Sequence, residues 1–447
     1  MQVNQEEIRT AVPCHEWDYD IANKGDSVVS RFDLVCNQAY LYDLSSVVPM
    51  AASALLAPAL GLVSDRAGRR PVMLFCAFGQ LIATIGNCFA ETYTFFVFTR
   101  VLIFVATDVT FLATFILIHE VTGNAHRSIF TLIDTAVPGI VVPPMMHALS
   151  LLEPRWMLAE ALTIVTVALL VVWCCLQEES PAWLIATWKL RRAEAIVLLA
   201  AKENGVDLAK AGSTFMAIKE QLCKLDKYAA AAPMEVIMQT MKMRRRAVSV
   251  LLARFTLDAT YIGLMLNDVT TGIPWEVAHV VLSMAYYASI CGSMRRYGLR
   301  DTLSGLMVIL SAFAIFEAIA TFSGQQMVTS FLHAGMKVVV SGAMSVALCY
   351  TAETFPTAMR NAGISLSQCA GSVGNVVAIA LVALSQPHVL YALSAFMVLL
   401  SVAAIQWLPE VLIEHQQSPS VHSEGERKAQ LQASLKSRSA KSSHKHR

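Results

Sequence analysis

Charge is scarce in this sequence. Of its 447 residues, 15% are Asp, Glu, Lys or Arg, against about 25% in soluble chains. Hydrophobic residues make up 55% and the mean hydropathy is +0.53, which sets aside an ordinary soluble domain. The 34 basic and 33 acidic residues nearly cancel to +1, and the basic ones fall in loops between apolar runs, so no nucleic-acid partner is expected. The ten cysteines are scattered, with no Cys-x-x-Cys or Cys/His metal spacing. There is no Asn-x-Ser/Thr sequon and no nucleophile–base pair or phosphate-cradling loop, so neither an enzyme nor a cofactor is expected. Met1 to Val12 is polar and lacks the apolar stretch of a signal peptide.

What the chain has instead is long apolar runs. They lie at about 39–63, 71–91, 94–119, 128–150, 156–177, 246–267, 274–294, 302–322, 328–352, 362–384 and 388–408. Each is close to the ~20 residues a helix needs to cross a bilayer. The reading is an all-α multi-pass membrane protein with about eleven spans. Arginines, lysines and histidines gather in alternate loops (Arg66, Arg69, Arg70, His126, Arg127, Lys189, Arg191, Arg192, Arg244 to Arg246, Arg295, Arg296, Arg300, Arg360). The positive-inside rule makes those loops cytoplasmic, with the N-terminus outside and the C-terminus inside.

The expected organisation is an extracellular remnant (1–38), an N-terminal helical bundle (39–177), a cytoplasmic loop with helical pieces (178–245), a C-terminal bundle (246–410) and a disordered tail (411–447). In the loop, Arg192 to Asn204 reads as a helix closed by Gly205. A second helix is expected over about Thr214 to Ala229.

The stretch Gly61-Leu62-Val63-Ser64-Asp65-Arg66-Ala67-Gly68-Arg69-Arg70-Pro71 organises the chain. Its two glycines allow close approach and a tight turn. Asp65 sits at a helix end, placed to pair with an arginine or with the N-terminus of a neighbouring helix. The two halves of the chain echo each other. Glu120 with Arg127 closes one span, and Glu353-Thr-Phe-Pro-Thr-Ala-Met-Arg360 closes another. Arg100 and Lys337 are a second echo. The Asp65 loop returns as Arg295-Arg296-Tyr297-Gly298-Leu299-Arg300, with arginine in place of the acid. A cytoplasmic lock is expected from Gly61, Asp65, Arg66, Gly68, Arg69, Arg70, Glu120, Arg127, Glu353 and Arg360, stronger in the first half than in the second.

The Gly61–Arg70 stretch resembles the loop signature of the major facilitator superfamily. Cys14 to Asp20 and Ser27 to Cys36 are similar to the end of the large extracellular loop of the organic cation/anion transporters, a solute-carrier branch of that superfamily. Glu179-Ser180-Pro181-Ala182-Trp183-Leu184 and Glu353 to Arg360 are similar to two further elements of that branch. The resemblance implies two six-helix bundles around a cavity that opens alternately to each side, in the plasma membrane. The branch's first span and most of its large extracellular loop have no counterpart here, so a shortened chain is expected. Cys14 and Cys36 flank the polar segment, and a disulfide between them is an open possibility.

Charges in mid-membrane are functional candidates. Asp108 lies near the middle of its span with Phe111 one turn on, a pair suited to an organic cation. A structural pair with a neighbouring helix is the alternative; Lys337 is a candidate for that partner, or for binding an anionic substrate itself. Asp258 and Glu317 lie nearer span ends, where capping or snorkelling explains them equally well. Tyr261, Asn267, Tyr286, Tyr287, Gln368 and Asn375 are expected either on the cavity wall or in helix packing. At Ser372 the branch carries arginine in anion carriers and aspartate in cation carriers; serine decides neither. The reading is a carrier of small organic ions, cations favoured slightly over anions, with the bilayer as its other partner. The alternative is a non-transporting membrane protein derived from such a carrier.

Overall fold

A computed structural model of the chain describes residues 27–123, 126–151, 156–224, 241–267, 275–355 and 359–406. These residues are almost wholly helical. After a four-residue helix α1 (Val28–Arg31) come α2 (Tyr40–Ala67), α3 (Arg69–Cys88), α4 (Tyr93–Val121), α5 (Arg127–Leu151) and α6 (Trp156–Leu176). Three shorter helices follow: α7 (Pro181–Ala186), α8 (Leu190–Glu203) and α9 (Leu208–Lys224). Then come α10 (Met241–Leu266), α11 (Trp275–Phe322), α12 (Gln326–Thr354), α13 (Arg360–Leu384) and α14 (Pro387–Gln406). Helix α11 is broken at Gly298, whose φ of 83° and ψ of 175° lie outside the helical region. Counted as two, it gives five long helices before the short ones and six after. That matches the spans read from hydropathy, because a lipid-facing backbone must satisfy its polar groups within the segment.

Eight helices among the described residues are long and apolar enough to cross a membrane. Their outward positions are apolar: Leu55, Phe75, Ile82 and Phe316 are all more than half exposed. Polar side chains are drawn inward instead, among them Thr84, Asn87, Asp258, Glu317 and Ser372. This is the distribution expected where lipid is the outer solvent. Pro49 and Pro58 sit inside α2, tolerable in a span whose neighbours can satisfy the freed carbonyls.

Helices α2, α3, α4 and α6 pack together, as do α10 to α14. The two groups meet along two seams: α2 and α4 against α13, and α5, which packs on α4, against α11 and α12. Small residues let the seams close. A Cβ on Gly61 would collide with Ser365 of α13, and one on Gly139 would press on Ser341 and Tyr287. Gly371 and Gly374 do the same between α13 and α10, where a Cβ would meet Asp258 and the Phe255 carbonyl.

The α8 helix ends where its sequence predicts, with Gly205 at φ 67°. The α9 helix starts earlier than expected, at Leu208. Residues 1–26, 225–240 and 407–447, which include Cys14, the end of the helix expected over Thr214 to Ala229 and the tail, lie outside the described residues.

Candidate functional site

The Asp65 stretch becomes the turn between α2 and α3. Gly68 takes φ 116°, a conformation that side chains resist. A Cβ there would also strike Glu179 and Trp183. Glu179 follows α6 and folds back onto the start of α3, where Oε1 accepts from the Arg69 N–H (3.0 Å) and Oε2 from the Arg70 N–H (3.3 Å). A carboxylate at a helix N-terminus satisfies orphan donors and the helix dipole together. The Trp183 indole N–H donates to the Asp65 carbonyl at 2.7 Å, and its ring lies 5.8 Å from the Arg69 guanidinium.

Arg69 is completely buried. Its Nη2 meets Asp65 Oδ1 and Glu120 Oε1, both at 3.2 Å. Glu120 Oε1 also takes Arg360 Nη1 at 3.0 Å, and Arg360 Nε donates to the Ala352 carbonyl at 2.9 Å. Asp65 reaches the N-terminus of α13, accepting from the N–H groups of Asn361 (3.3 Å) and Ala362 (2.9 Å). The Asn361 amide donates to Ser64 Oγ at 3.0 Å. Three carboxylates (Asp65, Glu120, Glu179) thus face two guanidiniums and two helix N-termini. With each terminus worth about half a positive charge, the cluster is close to neutral. That balance is what allows so many charges to be buried together.

The second-half motif joins the same end of the molecule. Glu353 Oε1 accepts from Ser128 Oγ at 2.8 Å, one residue after Arg127 opens α5. The acid of each repeat therefore bonds the start of a helix in the opposite half: Glu120 with α13, Glu353 with α5. Nearby across the same seam, Cys349 Sγ lies 3.2 Å from Thr131 Oγ1. Gly68 and Gly298 occupy matching breaks, but Arg295, standing where Asp65 would be, is exposed. Arg66 is also exposed. Arg70 is half-exposed, with Glu178 at 3.5 Å and the Cys175 carbonyl at 3.2 Å.

Nearer the middle of the spans, Asp108 accepts from Ser53 Oγ of α2. Gln368 of α13 and Arg254 of α10 also act on its carboxylate. Arg254 Nη2 donates to Gln368 Oε1 at 3.1 Å, and its Nε meets Asp258 Oδ2 at 2.8 Å. Of the readings left open for Asp258, the structure shows an ion-pair member. The cation beside Asp108 is Arg254, which the sequence reading did not single out. Its one clue was the i, i+4 spacing to Asp258.

The other candidates are placed as follows. Phe111 is 39% exposed, on the Asp108 helix. Tyr261 is half-buried against the core of the second group. The Tyr286 hydroxyl donates to the Val339 carbonyl at 3.1 Å, and that of Tyr287 lies 2.9 Å from Ser341 Oγ; both tie α11 to α12. Lys337 is half-buried on α12, and Ser372 is buried within α13. Cys36 is exposed. The residues missed by sequence are those that complete motif residues from elsewhere, Ser53, Ser128, Arg254 and Asn361; Ser64, Glu179 and Trp183 stood in quoted motifs, but without the contacts they make here.

Residues 23–413 match the model of the sugar (and other) transporter family. Solute carrier family 22 member 16 of Xenopus laevis is 25% identical over 373 residues, covering 81% of this chain and 64% of its own length. The organic cation transporter protein of Drosophila melanogaster is 23% identical, covering 82% of this chain and 68% of itself. This chain thus spans about two thirds of the length of these relatives. The xylose transporter XylE from E. coli superposes with a TM-score of 0.59 at 16% identity, over 84% of this chain and 88% of that one.

Proposed function

We propose, on the premise that the chain belongs to the sugar (and other) transporter family of membrane carriers, that it moves small organic ions by alternating access. The observation that carries this is the buried latch. Asp65 and Glu120 bond the start of α13 across the seam, through contacts that can exist only while the latch ends of the two halves are together. A latch of this kind favours one of two states and must be released on every cycle.

Asp108 is the substrate anchor in this reading. It lies on one half, and Gln368 and Arg254 approach it from the other. A bound ion would thus touch both halves at once, with Phe111 and Tyr261 alongside. The carboxylate favours a cation, in keeping with a relative named as an organic cation transporter. Ser372 is buried, which leaves the choice of charge to the Asp108–Arg254–Gln368 group. Orientation follows the arginine loops, with latch and C-terminus cytoplasmic and the plasma membrane as the site of action.

The test is uptake of labelled tetraethylammonium and labelled para-aminohippurate into cells expressing the chain or its Asp108→Asn variant, with surface labelling as control. Saturable uptake of the cation, lost in the variant, is the expected result. Neither ion entering, with the protein at the surface, would overturn the reading in favour of a non-transporting descendant of a carrier.

A further inference from the structure

A groove of about 570 Å³ opens between the first three turns of α10 and the last two of α14. Contacts fix its level in the molecule. Arg254 meets Gln368 and Asp258 packs on Gly371, so α10 and α13 run in the same direction and begin at the same end, that of the latch. Ala247 of α10 packs on Phe355 and Met359, which lead into Arg360. The groove lies on the other side of those turns. Its walls include Val248, 58% exposed, and Leu400, 48% exposed.

Chemistry changes along the groove. Met241, Arg244, Arg245, Val248 and Leu252 recur at helical spacing on one face of α10, with the arginines near the helix start and the aliphatic residues further in. Arg244 and Leu252 are about 12 Å apart along the axis, close to the ~15 Å of hydrocarbon in one leaflet. On the facing side, Ala403 and Ala404 are small and leave the groove open. The Ser249 hydroxyl donates to the Ala404 carbonyl at 3.0 Å, so it is already satisfied. The arginines at the mouth differ from others in the chain. Arg69, Arg70, Arg254, Arg300 and Arg360 are each paired with a carboxylate. Arg244 and Arg245 are exposed and meet no carboxylate among the described residues. Arg244 Nη2 lies 2.8 Å from Met241 Sδ, a weak acceptor.

We propose that this groove is a binding site for one anionic phospholipid, with its phosphate on Arg244 and Arg245 and an acyl chain along Val248, Leu252, Leu400 and Ala403. A guanidinium fork matches phosphate oxygens, and the aliphatic walls below it take the hydrocarbon out of the loose bilayer. A free phosphate would leave those walls unused. The sequence after Gln406 carries more basic than acidic residues, so it repels the arginines rather than filling the groove. Seated there, the lipid bridges the start of α10 and the end of α14.

The test measures lipid bound to the purified full chain in detergent and needs no transported substrate. Its failure is therefore separate from failure of the transport reading. Labelled dioleoyl phosphatidylserine and dioleoyl phosphatidylcholine are titrated onto the wild type, Arg244→Gln/Arg245→Gln and Ala403→Trp. Phosphatidylserine should bind saturably and more tightly than phosphatidylcholine, by on the order of 10-fold. Both variants should weaken it by a similar factor: the first removes the charge, and the second fills the groove while keeping both arginines. Val248→Trp does the same from the other wall should Ala403→Trp not be produced. Equal binding of the two lipids would overturn the proposal. So would phosphatidylserine binding that the tryptophan leaves unchanged, or that inorganic phosphate displaces in full, since either would assign the arginines to a free anion. Binding seen only in Asp226→Asn/Glu235→Gln would give the groove to the segment before α10 instead.

Discussion

The replacement of Asp65 by asparagine isolates what the latch contributes across the seam. Asp65 accepts from two backbone N–H groups of α13 as well as from Arg69. Asparagine keeps one acceptor oxygen and turns an NH2 toward the other donor. Hydrogen bonds to a charged group are worth about 1.5–3 kcal/mol each and neutral ones about 0.5–1.5. Losing one charged bond and weakening the other removes about 2–4 kcal/mol from the latched state. At about 1.4 kcal/mol per factor of ten, the unlatched population rises on the order of 100-fold. A native reporter exists: Cys349 is 1% exposed at the α5–α12 seam, in contact with Thr131. Cys174 is 0% exposed inside the first group and serves as control. Alkylation rates of both, read by mass spectrometry on the purified protein, should show Cys349 accelerated on the order of 100-fold and Cys174 unchanged. An unchanged rate at Cys349 would refute the latch, and an equal rise at both would mean that the variant simply unfolds.

Three further outcomes follow from the same geometry. Arg69→Ala leaves Asp65 and Glu120 buried side by side and should slow uptake while the protein still reaches the surface; unchanged uptake kinetics would count against its role. Gly68→Ala places a side chain at φ 116° against Glu179 and Trp183 and should cost more than about 1 kcal/mol, read as a lower melting temperature. Arg254→Met strands Asp258 and should destabilise by about 3–5 kcal/mol, whereas Arg254→Met/Asp258→Leu should recover most of it, as thermal melts of both would reveal.

Much of this molecule was legible without coordinates. Helix spans are written as runs of apolar residues because the bilayer demands a fixed length and a satisfied backbone, both local requirements. The Gly68 turn and its echo at Gly298 were visible because a left-handed φ is a local property that selects glycine. The latch residues stood out because charge is rare here. The kind of partner was visible for Asp65, an arginine and a helix N-terminus, but not which arginine or which helix. Glu120 and Glu353 were expected to meet charges of neighbouring helices, but which ones was open: Glu120 bonds Arg69 and Arg360, and Glu353 accepts from Ser128. Asp258 and Glu317 were left open between functional charges and capping or snorkelling ends; each is half of a buried pair. Which side chains meet depends on how each helix is rotated and how closely small residues let two helices approach. Sequence spacing along one helix carries neither quantity. The sequence by itself therefore determined the spans, the turns and the inventory of charges. Only the tertiary structure decided the pairing, because the low dielectric between packed helices makes every buried charge find whatever partner the packing brings within reach.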